Sequence, residues 1–505
     1  MNPLATTRSR WTALVTLLTV FAAPRPVTAA STRASDSLDV LVRQAMSGGF
    51  TPGLAVAVVR GDQLEWSAGY GLADRESGRP VTETTRFYIA STTKAFTALA
   101  AAQRASRGEL DLDAPLSKAL PGAQFHAGLS GDSIRVLDLL THTHGIDSDG
   151  PTSVRVAFTG DYSYADLLRS LAAHPPAGAG RAFDYSNLGY DLAGIVLDPA
   201  HKGGWKRVVE LEVTRPLGMT ATTAYRSKVR DADLAMPYEM GPDGFERIPL
   251  AKQDANMGPA GGMFSTAGDL ARLIVAELNG GRVGGYACIP AAVIAATQRL
   301  RATQDRDFTL FHRFGWGLGW DLGSYDGDTL LHRFGSFPGY RSHVSYMPGR
   351  GLGVAVLVNG GGASSMLSDI VATAVYDHLL GRPDAAARMD DRLAKLRAQL
   401  ENRRKSVVAD RAKRAARSQQ LPHPLAAYAG AYTNPDWGTL ELKVSGERLE
   451  AVMGVAESPV EVYDASRDEL RVELFGSGGV LRAVFAEGDT RAREIVFEKV
   501  RFARR

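Results

Sequence analysis

Two short runs apolar at every position mark the ends of the first three-quarters of the chain. Residues 53–59 read Gly-Leu-Ala-Val-Ala-Val-Val, and residues 351–358 read Gly-Leu-Gly-Val-Ala-Val-Leu-Val. Continuous β-branched runs of this length predict strands buried on both faces. Arg60-Gly61-Asp62 predicts a turn that returns the chain along residues 64–70 as a partner strand. Helical patterns follow Ser91 and recur at 137–141, 166–173 and 268–278. Another covers about 366–380 and stops at Gly381 and Pro383. Strands at both extremes with helices between predict an α+β fold, an antiparallel sheet flanked by helices.

The pattern then changes twice. Residues 384–421 are rich in Ala, Arg and Lys, with ten basic against three acidic residues between Asp391 and Arg417. A charge run of this kind predicts a solvated connecting helix. From Leu425 onward the pattern is β: residues 439–444 alternate, 445–447 turn, 448–452 return, and 494–502 predict a last strand. The expected organisation is an export segment at 1–29, a main domain at 30–383, a basic helical linker at 384–421 and a small all-β, barrel-like domain at 422–505.

The chain has 505 residues and is 45% hydrophobic, enough for a sizeable core without metals or crosslinks. A net charge of +3 gives no reason to expect nucleic acid, and the single cysteine, Cys288, excludes an intramolecular disulfide. Cys288 reads as a buried small hydrophobe. Arg8 and Arg10 precede an apolar run from 11 to 23, and small residues follow at 27–30. That is the form of a cleaved export signal, too short for a stable membrane span, and it predicts a periplasmic or secreted protein.

Ser91-Thr92-Thr93-Lys94 carries the candidate chemistry. If a helix starts at Ser91, the Lys94 amine lies over the Ser91 hydroxyl, one turn on, and can take its proton. The spacing also arises by chance, with a capping serine and a solvated lysine as the alternative. Tyr185-Ser186-Asn187 offers a phenol that works as a base only beside a cation, which Lys94 would supply. The same Tyr-x-Asn spacing recurs at Tyr432-Thr433-Asn434, read as a turn. His332-Arg333-Phe334-Gly335-Ser336 suits the edge of a cleft. Gly335 would let substrate lie against the backbone, and the Ser336 N–H would join that of Ser91 as an oxyanion hole.

Together these segments resemble the β-lactamase-related serine hydrolases: class C β-lactamases, DD-peptidases, D-aminopeptidases and esterases of that fold. Ser91–Lys94 is similar to the family's Ser-x-x-Lys and Tyr185–Asn187 to its Tyr-x-Asn. Residues 139–146, 108–113, 261–266 and 314–320 add family-like blocks in the same order, and the β domain, opening Tyr428-Ala429-Gly430-Ala431-Tyr432, resembles the appended lipocalin-like domain. The resemblance implies catalysis by Ser91, Lys94 and Tyr185, and substrate binding by Asn187, Arg333 or His332, Gly335 and Ser336. Lys or His usually opens the third motif. Here Arg333 holds the aligned position and His332 stands one residue off. Strand alternation favours Arg333, and a bulge would favour His332.

Other chemistries are less well supported. His142-Thr143-His144 with Asp147 lacks the usual zinc spacing and reads as neutral imidazoles bonded to backbone. There is no Gly-x-Ser-x-Gly and no Gly-Lys dipeptide, against an α/β-hydrolase elbow and a P-loop. Trp316 and Trp320 read as core. The sequence therefore predicts a cofactor-free exported serine hydrolase acting on a small-molecule or short-peptide ester or amide. The alternative is a catalytically silent cell-wall-peptide or β-lactam binding protein. The β domain would wall the cleft or mediate association.

Overall fold

This computed structural model describes residues 29–148, 150–198, 204–250, 252–418, 420–476 and 478–505, with side chains from 36 onward. The expected export segment lies outside the described residues, apart from the backbone of its last position.

The main domain is built on nine antiparallel strands: β1 (Gly53–Arg60), β2 (Gln63–Asp74), β3 (Arg79–Pro80), β4 (Ala302–Phe308), β5 (Phe311–Trp316), β6 (Asp321–Tyr325), β7 (Asp328–Phe337), β8 (Tyr340–Met347) and β9 (Leu352–Val358). Their order in the sheet is β4-β5-β6-β7-β8-β9-β1-β2-β3. The two apolar runs are direct neighbours, with Val56 opposite Val356. Side chains alternate across a strand, so each run feeds two cores. Ala55, Ala57 and Val59 face one, with Ala355 and Leu357. Leu54, Val56 and Val58 face the other, with Val354, Val356 and Val358.

The second core is covered by α1 (Ala29–Ser47). The first is covered by α2 (Thr93–Ser106), α3 (Asn187–Leu197) and α4 (Ala267–Leu278), and α5 (Met366–Leu379) returns to the second. Thr266 opens α4 by accepting the Asp269 N–H through its side chain, a normal N-cap. Helix α2 begins at Thr93, two residues later than the sequence predicts, because a 3-10 turn occupies Ala90–Thr92. Among the described residues, no helix is long and apolar enough to cross a membrane.

The basic segment forms one long helix, α6 (Ala385–Ala415). It is not merely a solvated connector. Met389, Leu393, Leu396 and Leu400 recur at helical spacing, are buried, and complete the second core. Arg392 donates to Thr373 Oγ1 and Tyr325 Oη, both at 2.9 Å. The far end reaches the C-terminal domain, where Arg414 Nε donates to Glu461 Oε2 at 2.8 Å.

The C-terminal domain is a nine-stranded antiparallel sheet: β10 (Gly430–Asn434), β11 (Gly438–Ser445), β12 (Arg448–Met453), β13 (Ala456–Pro459), β14 (Glu461–Asp464), β15 (Glu469–Val472), β16 (Gly479–Val484), β17 (Glu494–Phe497) and β18 (Val500–Arg504). The order β13-β12-β11-β10-β18-β17-β16-β15-β14 curls around a core of its own into a nearly closed barrel. The predicted last strand is in fact the β17–β18 hairpin, turning at Glu498 and Lys499, both at positive φ. Tyr432 and Asn434 lie on β10 rather than in a turn. Cys288 is half-buried rather than enclosed.

Leu396→Ala should cost about 2–5 kcal/mol through the cavity it leaves, whereas Lys395→Ala on the exposed face should stay within about 0.5 kcal/mol. The urea midpoint of the main domain measures both. Equal shifts would return α6 to a solvated connector.

Candidate active site

The short strand Phe87–Tyr88 runs into the 3-10 turn and then α2. Ala90 takes φ +44°, a left-handed conformation that a residue with a Cβ holds only when its surroundings enforce it. Ser342 of β8 supplies part of that enforcement. Its hydroxyl lies 2.8 Å from the Ile89 carbonyl oxygen and 2.8 Å from Thr92 Oγ1. Gly335 supplies another part, since a Cβ there would fall 1.9 Å from the Ile89 oxygen. Only glycine lets β7 pass this close to the turn that presents Ser91.

Lys94 is fully buried, and its Nζ donates to Asn187 Oδ1 at 2.6 Å, to the Ala260 carbonyl at 2.8 Å and to Ser91 Oγ at 3.3 Å. Burial pushes its pKa down. The nearby Tyr185 phenol opposes that shift and Arg333 adds to it. Asn187 is the first residue of α3, placed there by Ser186, whose side chain caps the helix.

The Tyr185 pKa is lowered. Burial acts to raise it, but Arg333 and then Lys94 outweigh burial, with hydrogen bonds from Lys94 and Ser91 contributing. Arg333 bonds the phenol oxygen itself. Its Nη2 donates to Tyr185 Oη at 2.7 Å, Nε to the Ser91 carbonyl at 3.1 Å and Nη1 to Asp321 Oδ2 at 2.9 Å. Arg333 is 3% exposed. It is therefore enclosed rather than held out to a substrate. It is a buried charge set against the phenol and the serine backbone, anchored by Asp321. Arg313 stands 3.3 Å from the same carboxylate.

His332, the alternative for the third motif, does not join this group. No bulge interrupts the β7–β8 register, in which Arg333 pairs with Val344. The parity of the strand therefore sends His332 to the opposite face, where it is fully buried between Phe311 and Phe334. Ser336 is exposed and lines the cavity in front of Ser91.

That cavity, about 140 Å³, is lined by Ser91, Asn187, Ser336, Tyr88, Phe158 and Phe337, together with Asp191 and Lys252, which the sequence reading did not single out. The signal for Asp191 was its place one helical turn beyond Asn187. Lys252 sits in an irregular segment and carried none. Phe158 packs on Phe337 at 5.8 Å and on Phe475 of the C-terminal domain at 5.4 Å, so the barrel backs one wall. A backbone bond from Val455 N to the Thr159 carbonyl, 2.8 Å, holds the two domains together there.

The histidine block is structural support. His142 Nδ1 accepts the Ser186 N–H at 3.1 Å, and His144 Nδ1 accepts the Ile146 N–H at 3.0 Å. Burial pushes both imidazoles below their usual range, His144 to about 4. His142 packs against Tyr185 and Trp316. Trp316 and Trp320 are both buried core residues.

Set beside known proteins, this fold and site have clear relatives. The Beta-lactamase family model matches residues 38–378. The chain belongs to the beta-lactamase family. This beta-lactamase-family chain is 29% identical over 329 residues to penicillin-binding protein 4 of Amycolatopsis lactamdurans, covering 63% of this chain and 84% of that protein. It is 26% identical over 328 residues to protein flp of Staphylococcus aureus strain COL, covering 64% of this chain and 62% of flp. Its fold is shared by two solved structures. The octameric penicillin-binding protein homologue from Pyrococcus abyssi gives a TM-score of 0.59 at 21% identity, covering 92% of this chain and 99% of that one. D-amino acid amidase from Ochrobactrum anthropi SV3 gives 0.57 at 19%, covering 72% and 99%.

Arg333→Gln should raise the Tyr185 pKa, because it removes the strongest charge holding the phenol down. Titrating tyrosinate absorbance, as the difference between proteins with and without Tyr185, should show the transition moved to higher pH. An unmoved transition would mean that Lys94 alone sets the acidity of the phenol.

Proposed function

We propose that this chain is an exported serine hydrolase that opens an ester or amide through an acyl-enzyme on Ser91. One observation carries the reading: a buried amine, Lys94, reaches the Ser91 hydroxyl, while a phenol of lowered pKa, Tyr185, lies against the same amine. Membership of a family of serine hydrolases supports it.

Ser91 Oγ attacks the substrate carbonyl carbon as its proton passes to the Tyr185–Lys94 pair. Arg333 and Lys94 lower the pKa of the phenol against the effect of burial, and Asn187 fixes the lysine. Backbone N–H groups of Ser91 and Ser336 hold the oxygen of the tetrahedral intermediate. The pair then protonates the leaving alcohol or amine, and a water repeats the sequence in reverse to release the acid.

A fluorophosphonate probe should label the wild type and not Ser91→Ala. Labelling that survives the substitution would move the nucleophile elsewhere. Tyr185→Phe should lower turnover of a p-nitrophenyl ester by about 10²-fold or more. Equal ester turnover by wild type and Ser91→Ala would favour the silent binding protein instead.

Residues 1–29 are proposed to direct export. In fractionated cells, the full-length chain should reach the periplasm or medium, and a chain lacking residues 2–29 should stay in the cytoplasm. Equal distribution of the two would remove the proposed address.

A further inference from the structure

A second cavity, of about 460 Å³, shares no lining residue with the one at Ser91. It is bordered by the helix Gly204–Val209, the π-helical turn Glu210–Thr214 that continues it, and the segment 218–228. Turns of this kind are rare and concentrate at functional sites. Among the described residues the other one is Arg155–Thr159, which carries Phe158 into the Ser91 cavity.

The charge of this second cavity is one-sided. Arg86, Lys206, Arg215 and Lys228 line it against a single acid, Glu210. Glu210 is already engaged. Arg207, which does not line the cavity, donates to its Oε1 at 2.9 Å, and Lys228 Nζ stands 3.7 Å from its Oε2. Arg86 lies 3.4 Å from Asp233, but that carboxylate also accepts two bonds from Arg230 at 2.8 Å. Lys206 Nζ donates to the backbone carbonyl of Asp254 at 2.6 Å, while the Asp254 carboxylate accepts the N–H and hydroxyl of Ser227. Burial pushes the Lys206 pKa down, with Asp254 opposing. Arg215 has no side-chain partner among the described residues. Four cations facing one concave space repel each other, and an anion entering it is attracted by all of them.

The remaining wall says what else the anion carries. Met219 and Met263 are buried and present an apolar floor. The Tyr225 ring draws two of the ammonium groups to one side, with Lys228 Nζ 4.3 Å and Lys206 Nζ 5.1 Å from its centroid. The volume is in the ordinary range for a small-molecule site and exceeds what a bare ion fills. Four cations against one acid are met better by a dianion than by a single carboxylate. The guanidinium forks of Arg86 and Arg215 match phosphoryl oxygens.

We propose that this cavity binds an organic phosphate monoester, its dianionic head among Arg86, Lys206, Arg215 and Lys228 and its carbon body on Met219 and Met263. A soluble phosphate ester and a phosphorylated lipid headgroup share this chemistry. The assignment is independent of the Ser91 reading. Its floor is nevertheless tied to the reaction centre. The Met263 carbonyl accepts the Ile89 N–H at 3.0 Å, and the next residue, Phe264, pairs with Tyr88.

Calorimetry on the full-length protein at pH 8, where a phosphate monoester is a dianion, tests the proposal. The probes are phenyl phosphate, benzenesulfonate with the same ring and one charge, and inorganic phosphate with no carbon body. Phenyl phosphate should bind tightest, and less tightly as salt is raised. Arg215→Gln should weaken it about tenfold or more, the range for a hydrogen bond to a charged group. Arg215 is exposed, so the fold does not depend on it, and the exposed Lys118→Gln outside the cavity should change nothing. Sedimentation with phosphatidic acid vesicles forms the second arm. Retention of wild type but not Arg215→Gln on the vesicles, without phenyl phosphate binding, would assign the phosphoryl group to a lipid. Binding of phenyl phosphate without vesicle retention would assign it to a soluble ester. Failure of both arms, equal binding of the three probes, or equal effects of Arg215→Gln and Lys118→Gln would each overturn the proposal.

Discussion

Side chains on a strand alternate, and the central strands of the main sheet are buried on both faces. Each buried residue on β1, β7, β8 and β9 is therefore committed to one core or the other by its parity. The site depends on this. Leu331, Arg333 and Gly335 share the face that meets the turn carrying Ser91, whereas Leu330, His332 and Phe334 share the face covered by the terminal helices. A shift of one residue would exchange an arginine for an imidazole beneath the phenol and put a phenylalanine where the Ile89 carbonyl now sits.

Within that frame the electrostatics follow from placing cations where water is scarce. Lys94, Arg333 and Lys252 all lie within one buried neighbourhood, and the acidic groups are apportioned unevenly among them. Asp321 bonds Arg333 directly and anchors it, and a guanidinium keeps its charge in any case. Lys94 is pushed down by burial, with the Tyr185 phenol opposing, and it bonds Asn187, the Ala260 carbonyl and Ser91. Lys252 is lowered to about 7 by burial, with Asp191 as a partial counterweight. One cation is fixed and two are pushed down by burial, a division of labour that a single charge type could not provide.

Much of this was legible in the sequence because local rules and tertiary structure agree. The runs at 53–59 and 351–358 are strands, and they pair, because nothing but a two-sided core suits them. Ser91, Lys94, Tyr185 and Asn187 converge as their spacing and family resemblance imply. The misreadings have physical causes. Ten basic residues hid the stripe Met389, Leu393, Leu396 and Leu400, since composition averages over a helix whose faces differ. Arg333 reads as a substrate ligand until Asp321 is seen, and Asp321 comes from a neighbouring strand. Lys252 and Asp191 meet only through the fold.

The contact between Phe475 and Phe158 has one more consequence. Phe158 belongs to the domain that holds Ser91, but the ring behind it is supplied by a barrel whose side chains take no part in the proposed chemistry. Loops of such a barrel can be lengthened, shortened or exchanged without disturbing a single reacting group. Each change would reshape the enclosure from outside, giving the lineage a dial for selectivity that is mechanically coupled to the reaction centre yet genetically separate from it.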